Sequence, residues 1–395
     1  MTDRARRFAV GLLVGLAVLA LWACGGGAAE RGTGAGSSSG VPNAGGSAIA
    51  AIGYRVNRYV RGANQAVGLT FDTKGRLLYA EKDSGRIIRF ANGRKRVLAK
   101  LGVSGGGEAG LLGLAIDAAG RVYAYYTGPL ASCPDPTRTP GGSLKGHCVW
   151  RFKPGSGGLL RPDGPVFSAD HPSTAENHVG GGLHFGPDGA LYLSIGDLGE
   201  IDDPNKGPNR AQSLAVPFGK VLRLDPAGDN KPGGGNPGEC GNVDNSAKRN
   251  ASDKRIWACG LRNTYQFAFD AGGRMWGAEA GDDCDEINRV SAGVNYGWRP
   301  PRTDCSGSGA GRPVLKVKGT PSGIAVPISK AAGGWRGDVF YCIFDGNKLM
   351  RYDRSTRRVS ELRKAAGHCS YDLVSRGAKM YMSSGDDIYR LTIRR

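Results

Sequence analysis

Apolar and polar residues alternate along most of this chain in short runs, and a glycine turn falls between successive runs. Alternation at period two predicts half-buried strands, and a glycine between two such runs predicts a hairpin. Six times a turn glycine is followed three or four residues later by an aromatic: Gly75 to Tyr79, Gly120 to Tyr123, Gly189 to Tyr192, Gly273 to Trp276, Gly337 to Phe340 and Gly377 to Tyr381. An arginine between apolar neighbours then closes each unit. It stands as Ile88-Arg89-Phe90, Trp150-Arg151-Phe152, Leu222-Arg223-Leu224, Met350-Arg351-Tyr352 and Tyr389-Arg390-Leu391, with Asn288-Arg289-Val290 a weaker copy. Hairpin units that cannot bury their faces alone must stack on one another. About 345 residues over six units gives roughly 57 each, a little above a four-stranded propeller blade with its loops. The pattern therefore predicts an all-β, six-bladed β-propeller over residues 51–395. A β-sandwich rarely repeats one motif so often. Ring closure removes exposed sheet edges, so the segment around Tyr54 to Tyr59 is expected to pair with the last blade.

Residues 1–23 read as a signal peptide. Arg4, Arg6 and Arg7 precede an apolar run from Phe8 to Trp22, which is short for a membrane span. The ending Leu21-Trp22-Ala23-Cys24 resembles a bacterial lipobox, whose cysteine is lipidated after cleavage. An ordinary secretory signal and an uncleaved anchor are the alternatives. Residues 24–50 are nearly all Gly, Ala and Ser and read as a flexible tether behind the lipidatable Cys24. The chain is thus expected to be exported and held at a membrane of the cell envelope, on a periplasmic or outer face.

Export bears on the cysteines. Besides Cys24 there are Cys133, Cys148, Cys240, Cys259, Cys284, Cys305, Cys342 and Cys369, and an even set in an oxidising compartment reads as disulfides. Nearest-neighbour pairing is expected, because each consecutive pair closes a loop of modest length. The net charge of +18 reads first as a solvated basic surface, with attraction to an anionic envelope or an acidic redox partner as the alternative. An exported protein with scattered Lys and Arg is not expected to bind nucleic acid.

The candidate chemistry centres on Glu176-Asn177-His178-Val179-Gly180-Gly181-Gly182, where a histidine precedes a glycine triplet at the start of a strand. Glycines there are expected to let a neighbouring backbone or a flat ligand approach closely, and a histidine pKa suits proton abstraction near neutrality. A structural histidine at a strand edge is the competing reading.

Several other stretches share one wording. Gly107-Glu108-Ala109-Gly110-Leu111-Leu112-Gly113 comes first, then the His178 segment through Gly196-Asp197. Gly219-Lys220-Val221-Leu222-Arg223-Leu224-Asp225, Gly260-Leu261-Arg262-Asn263, and Asp285-Glu286-Ile287-Asn288 running to Asn295-Tyr296-Gly297-Trp298 follow in order. From about residue 65 onward the chain resembles the soluble glucose/sorbosone, or aldose sugar, dehydrogenases. The resemblance implies a six-bladed propeller holding pyrroloquinoline quinone (PQQ) and calcium, and oxidation of the anomeric hydroxyl of an aldose to a lactone. It places His178 as the base and Arg262 beside the quinone oxygen that gains negative charge. Glu108, Asn177 and Asn263 fall at cofactor contacts, and the carbonyls of Gly281 and Asp282 at the calcium. His184, inside the strand, is expected to be structural.

The departures concern the cofactor's carboxylates. The family's lysine and two further arginines of the fifth and sixth blades are replaced by Ile343-Phe344-Asp345-Gly346-Asn347 and by Cys369-Ser370-Tyr371-Asp372, with only Lys348, Lys316 and Lys318 as substitutes. The expected function is PQQ-dependent aldose oxidation, with an unknown electron acceptor. The alternative is a propeller of the same descent that has lost PQQ and binds carbohydrate or protein without redox chemistry.

Overall fold

The computed structural model describes residues 52–129, 137, 143, 146–173, 175–199, 209–237, 240, 253–282, 284–299 and 311–394. Residues 1–51, which hold the expected signal, Cys24 and the expected tether, lie outside the described residues, as do Cys133 and Cys305. Among the described residues no helix is long and apolar enough to cross a membrane.

The described strands form six four-stranded antiparallel sheets, the expected propeller blades. Blade I contains β2 (Ala66–Phe71), β3 (Leu77–Glu81), β4 (Arg86–Ala91) and β5 (Arg94–Lys100). Blade II contains β6 (Leu111–Ile116), β7 (Val122–Gly128), β8 (Gly146–Pro154) and β9 (Leu160–Asp170). Blade III contains β10 (Leu183–Phe185), β11 (Leu191–Ile195), β12 (Lys220–Leu224) and β13 (Ile256–Cys259). Blade IV contains β14 (Thr264–Phe269), β15 (Met275–Glu279), β16 (Asp285–Val290) and β17 (Leu315–Val317). Blade V contains β18 (Pro321–Ala325), β19 (Val339–Ile343), β20 (Lys348–Asp353) and β21 (Arg358–Glu361). Blade VI joins β22 (Leu373–Arg376), β23 (Lys379–Ser383) and β24 (Ile388–Ile393) to β1 (Tyr54–Val60). Tyr54 lies opposite Ile393 and Arg58 opposite Tyr389, so the first strand closes the ring as expected.

The first strand of each blade is innermost, and these strands pack in a closed circle: β2 on β6, β6 on β10, and so on to β22 on β2. Apolar side chains fill the spaces between blades. Val67, Leu78 and Ile87 of blade I, for example, pack with Leu111, Leu114 and Val122 of blade II. Each such side chain contributes roughly 1.5–3 kcal/mol on burial.

The repeated signature has a physical cause. The turn glycines, such as Gly75, Gly189 and Gly337, have φ of 75°, 77° and 86°, a region costly for any residue with a Cβ. Across the second and third strands, Tyr123 pairs with Arg151, Tyr192 with Arg223, Trp276 with Arg289, Phe340 with Arg351 and Tyr381 with Arg390. In blade I the register puts Leu78, not Tyr79, opposite Arg89. The arginine often ties down an acidic turn: Arg223 meets Asp188 at 2.7 Å and Arg351 meets Asp338 at 2.6 Å.

Two of the expected disulfides are present, Cys240–Cys259 and Cys342–Cys369. The other two expected pairs each include a residue outside the described ones.

Candidate active site

At one end of the propeller, the segments that enter the innermost strands meet the turns between second and third strands. Together they enclose a cavity of about 550 Å³. Gln65 and Glu108 come from segments just before β2 and β6, and Asn263 from just before β14. Lys82 and Asp83, Ala280, and Phe344 with Asp345 come from the turns after β3, β15 and β19. Tyr265, Tyr371 and Phe344 give the cavity aromatic walls.

Blade III supplies His178. The side chain is buried, and the backbone has φ of 53°, unusual for a residue with a side chain. Three bonds hold it there. Its N–H donates to Glu108 Oε2 at 2.9 Å. Its carbonyl accepts from Leu198 N at 3.3 Å. Its Nδ1 lies 2.7 Å from Asp197 Oδ1. A carboxylate can only accept, so Nδ1 carries the proton and Nε2 is left as the basic nitrogen. Asp197 is itself fixed: Trp298 Nε1 donates to its Oδ2 at 2.7 Å and Gly199 N to its Oδ1 at 3.0 Å.

Glu108 connects His178 to the cavity. The same Oε2 accepts from Asn263 Nδ2 at 3.0 Å, and Asn263 Oδ1 accepts from Gly180 N at 3.2 Å. Arg262 is buried. Its Nη1 donates to the Ala280 carbonyl at 3.0 Å, its guanidinium lies 5.5 Å from the Trp298 ring centroid, and its Nε has no hydrogen-bond partner. The carboxylate of Glu279 accepts from the N–H groups of Arg262 and Asn263 and from the Thr264 hydroxyl. Burial, with the neighbouring Glu286 adding to it, pushes the Glu279 carboxyl up to about 8. Burial likewise raises Asp372 to about 6, although it accepts from Leu69 N at 2.6 Å.

Of the two expected roles of the glycine triplet, the structure shows the close approach of neighbouring protein. A Cβ on Gly180 would lie 2.2 Å from Ser194 O, and one on Gly182 would lie 2.6 Å from Phe267 Cδ1. The glycines admit neighbouring protein strands, and no ligand gap opens over them. Asn177 is exposed and does not line the cavity. Gly281 and Asp282 lie in the turn between β15 and β16, with Gly281 N donating to Asp285 Oδ1 at 3.0 Å. Among the described residues no three His, Cys, Asp or Glu side chains converge as a metal cage. Lys316, Lys318 and Lys348 are exposed and do not line the cavity. His184 is half-buried, bonds Gln266 Oε1 at 3.2 Å and is held down to about 4 by desolvation, as befits a structural histidine.

The roles of Asp197, Trp298, Glu279 and Tyr265 are not legible in the sequence motifs, although Asp197 and Trp298 stand inside them. A signal for Asp197 exists. Leu183 pairs with Leu193, and continuing that register outward brings His178 opposite Leu198, beside Asp197.

The cavity's charge is uneven. Lys82 is the single cation among its described lining residues, against Asp83, Glu108 and Asp345. Its Nζ already contacts Asp83 Oδ1 at 2.5 Å and the carbonyls of Gly107 and Ala109, each at 3.1 Å.

Comparison with known proteins bears on the fold and the family. A PQQ-bound aldose sugar dehydrogenase from Streptomyces coelicolor is similar over 87% of this chain and 99% of its own, at 26% identity and a TM-score of 0.66. The apo aldose sugar dehydrogenase of Escherichia coli, at 20% identity and a TM-score of 0.69 over 87% of this chain and all of its own, shares the fold. The HIPL1 protein of Arabidopsis thaliana is 37% identical over 34% of this chain, a stretch that spans 20% of that relative. Quinoprotein glucose dehydrogenase B of Acinetobacter calcoaceticus is 26% identical over 60% of this chain and 48% of its own length. The family profile described as Glucose / Sorbosone dehydrogenase matches residues 63–371, and the chain belongs to that family.

Proposed function

We propose that this protein oxidises the anomeric hydroxyl of an aldose to a lactone with PQQ as cofactor. The observation that carries this reading is the His178–Asp197 pair, joined through Glu108 and Asn263 to a cavity with aromatic walls. The residues present fit the quinone end of the cofactor. Arg262 has a buried Nε without a partner, and Asn263 and Glu108 line the adjoining wall. For the carboxylates the lining offers Lys82 and the Tyr371 hydroxyl, while the hydroxyls of Thr320, Ser322 and Ser370 already donate to Asp345, the Ser370 carbonyl and Asn347. Bound there, PQQ would supply a two-electron hydride acceptor.

His178 Nε2 takes the proton of the sugar hydroxyl as general base. Asp197 holds the imidazole in the required tautomer and stabilises the imidazolium that forms. Glu108 fixes the backbone on which the base rides. Arg262 contributes a desolvated positive charge where negative charge develops, and Trp298 steadies both its guanidinium and Asp197.

The proposal extends to calcium, held by carbonyls of Gly281 and Asp282. Its support is the tight acidic turn around Asp282, Asp285 and Glu286 and calcium's preference for oxygen. It extends also to an exported protein anchored at a membrane by lipidated Cys24. Radiolabelled fatty acid incorporated into wild type and absent from Cys24→Ser is the expected result there, and equal labelling would refute the anchor. The function itself is tested by titrating apo-protein with PQQ and calcium. A stoichiometric change in quinone absorbance and dye-linked aldose oxidation are expected, and a protein that binds no PQQ overturns the reading.

A further inference from the structure

Behind His178, three side chains of blade II form a buried chain of hydrogen bonds that the reaction chemistry does not use. Tyr125 on β7 and His147 on β8 are both fully buried, and His171, just beyond β9, is nearly so. The single hydroxyl hydrogen of Tyr125 is shared between two acceptors, the Val179 carbonyl at 2.7 Å and His147 Nδ1 at 2.8 Å. His147 Nε2 meets His171 Nδ1 at 2.8 Å, and His171 Nε2 meets the Ala175 carbonyl at 2.9 Å.

The order of protons along this chain follows from its ends. A carbonyl only accepts, so His171 Nε2 carries a hydrogen and, with the ring neutral, its Nδ1 accepts from His147 Nε2–H. Burial keeps both imidazoles below their ordinary range, which favours the neutral rings. Around His147 the core is built from apolar side chains, Val149, Phe167 and Phe218 among them, while Glu176 and Arg210 act on His171 at the outer end. Apolar residues would fill such a space without the cost of burying polar groups.

The two carbonyls at the ends of the chain, Ala175 and Val179, bracket His178. We propose that Tyr125, His147 and His171 are positioning residues: they clamp both ends of the Ala175–Val179 segment and so hold the left-handed backbone of His178 that aims its ring at Asp197. Their catalytic meaning rests on the reading of His178 as the base.

The test uses apo-protein, so that it does not depend on dehydrogenase activity. The hydrogen-bonded Nδ1–H of His178 is followed as a downfield proton resonance, identified by its loss in His178→Ala. His171→Leu and Tyr125→Phe are expected to speed its exchange with water by about tenfold or more while cooperative thermal unfolding persists. His171→Gln should restore slow exchange, because its amide can accept from His147 and donate to the Ala175 carbonyl. In PQQ-loaded enzyme the first two variants should lower kcat with KM little changed. An unchanged resonance in both folded variants overturns the proposal. So does loss of the resonance only together with loss of the fold, or a His171→Gln variant that behaves like His171→Leu. A wild type without dehydrogenase activity would refute the proposed function and leave the resonance test in force.

Discussion

His178 Nδ1 and Asp197 Oδ1 lie 2.7 Å apart, joining the loop that enters β10 to the turn that follows β11. The contact settles which imidazole nitrogen is basic. Asp197→Asn replaces the acceptor with a group able to present an N–H, which favours the wrong tautomer. Turnover should fall by at least ~10²-fold with PQQ affinity little changed, and His178→Ala should fall by a similar factor. Dye-linked aldose oxidation beside spectroscopic PQQ titration measures both. Wild-type turnover in either variant would remove the assignment of the base.

Asp83 competes for Lys82, the single cation among the cavity's described lining residues. Removing its charge frees a donor of Lys82 and reduces repulsion of a tricarboxylate. Asp83→Asn should tighten PQQ binding by roughly 3- to 10-fold, and Lys82→Met should weaken it by at least as much, since charge-assisted hydrogen bonds are worth about 1.5–3 kcal/mol. The measurement is the PQQ dissociation constant at several salt concentrations. Tighter binding in Lys82→Met would contradict the argument.

Glu279 links the site to stability. Its carboxyl is raised in the fold to about 8 by burial, above its ordinary 4.5. The folded state therefore holds a proton that the unfolded chain releases. The stabilisation is complete below pH ~4.5 and is lost as pH rises through about 8, a change on the order of a few kcal/mol. Glu279→Gln stays neutral and keeps an acceptor for the N–H groups of Arg262 and Asn263. Its unfolding midpoint should gain on wild type as pH rises from 5 to 9, by about several degrees. Parallel melting curves with a constant gap would refute the shift.

The disulfides close loops with sequence separations of 19 for Cys240–Cys259 and 27 for Cys342–Cys369. Serine at both positions of either pair should cost about 3 kcal/mol, chiefly by enlarging the unfolded ensemble. Denaturant unfolding reads the loss. Non-reducing peptide mapping should show these two pairs together with Cys133–Cys148 and Cys284–Cys305, and a link such as Cys133 with Cys342 would overturn local pairing.

The blades and their number were legible along the chain because each is a local event. A glycine at positive φ, an alternating run and an arginine opposite an aromatic all lie within a few tens of residues. Even the ring closure by Tyr54–Val60 follows from the need to cover an edge. The candidate base and its cationic neighbour were legible too, but only through resemblance of wording. What the tertiary structure decided is the company they keep. Glu108, His178, Asn263 and Arg262 come from three different blades, and nothing in local periodicity says that one carboxylate oxygen serves both His178 and Asn263. The glycine triplet shows the same limit. Its small residues signalled a close approach, yet only the packed blades reveal that Ser194 and Phe267, and not a ligand, fill that space. Strand formation is dictated by neighbours in sequence, whereas a site at the hub of a propeller is made by segments that meet only after the ring has closed.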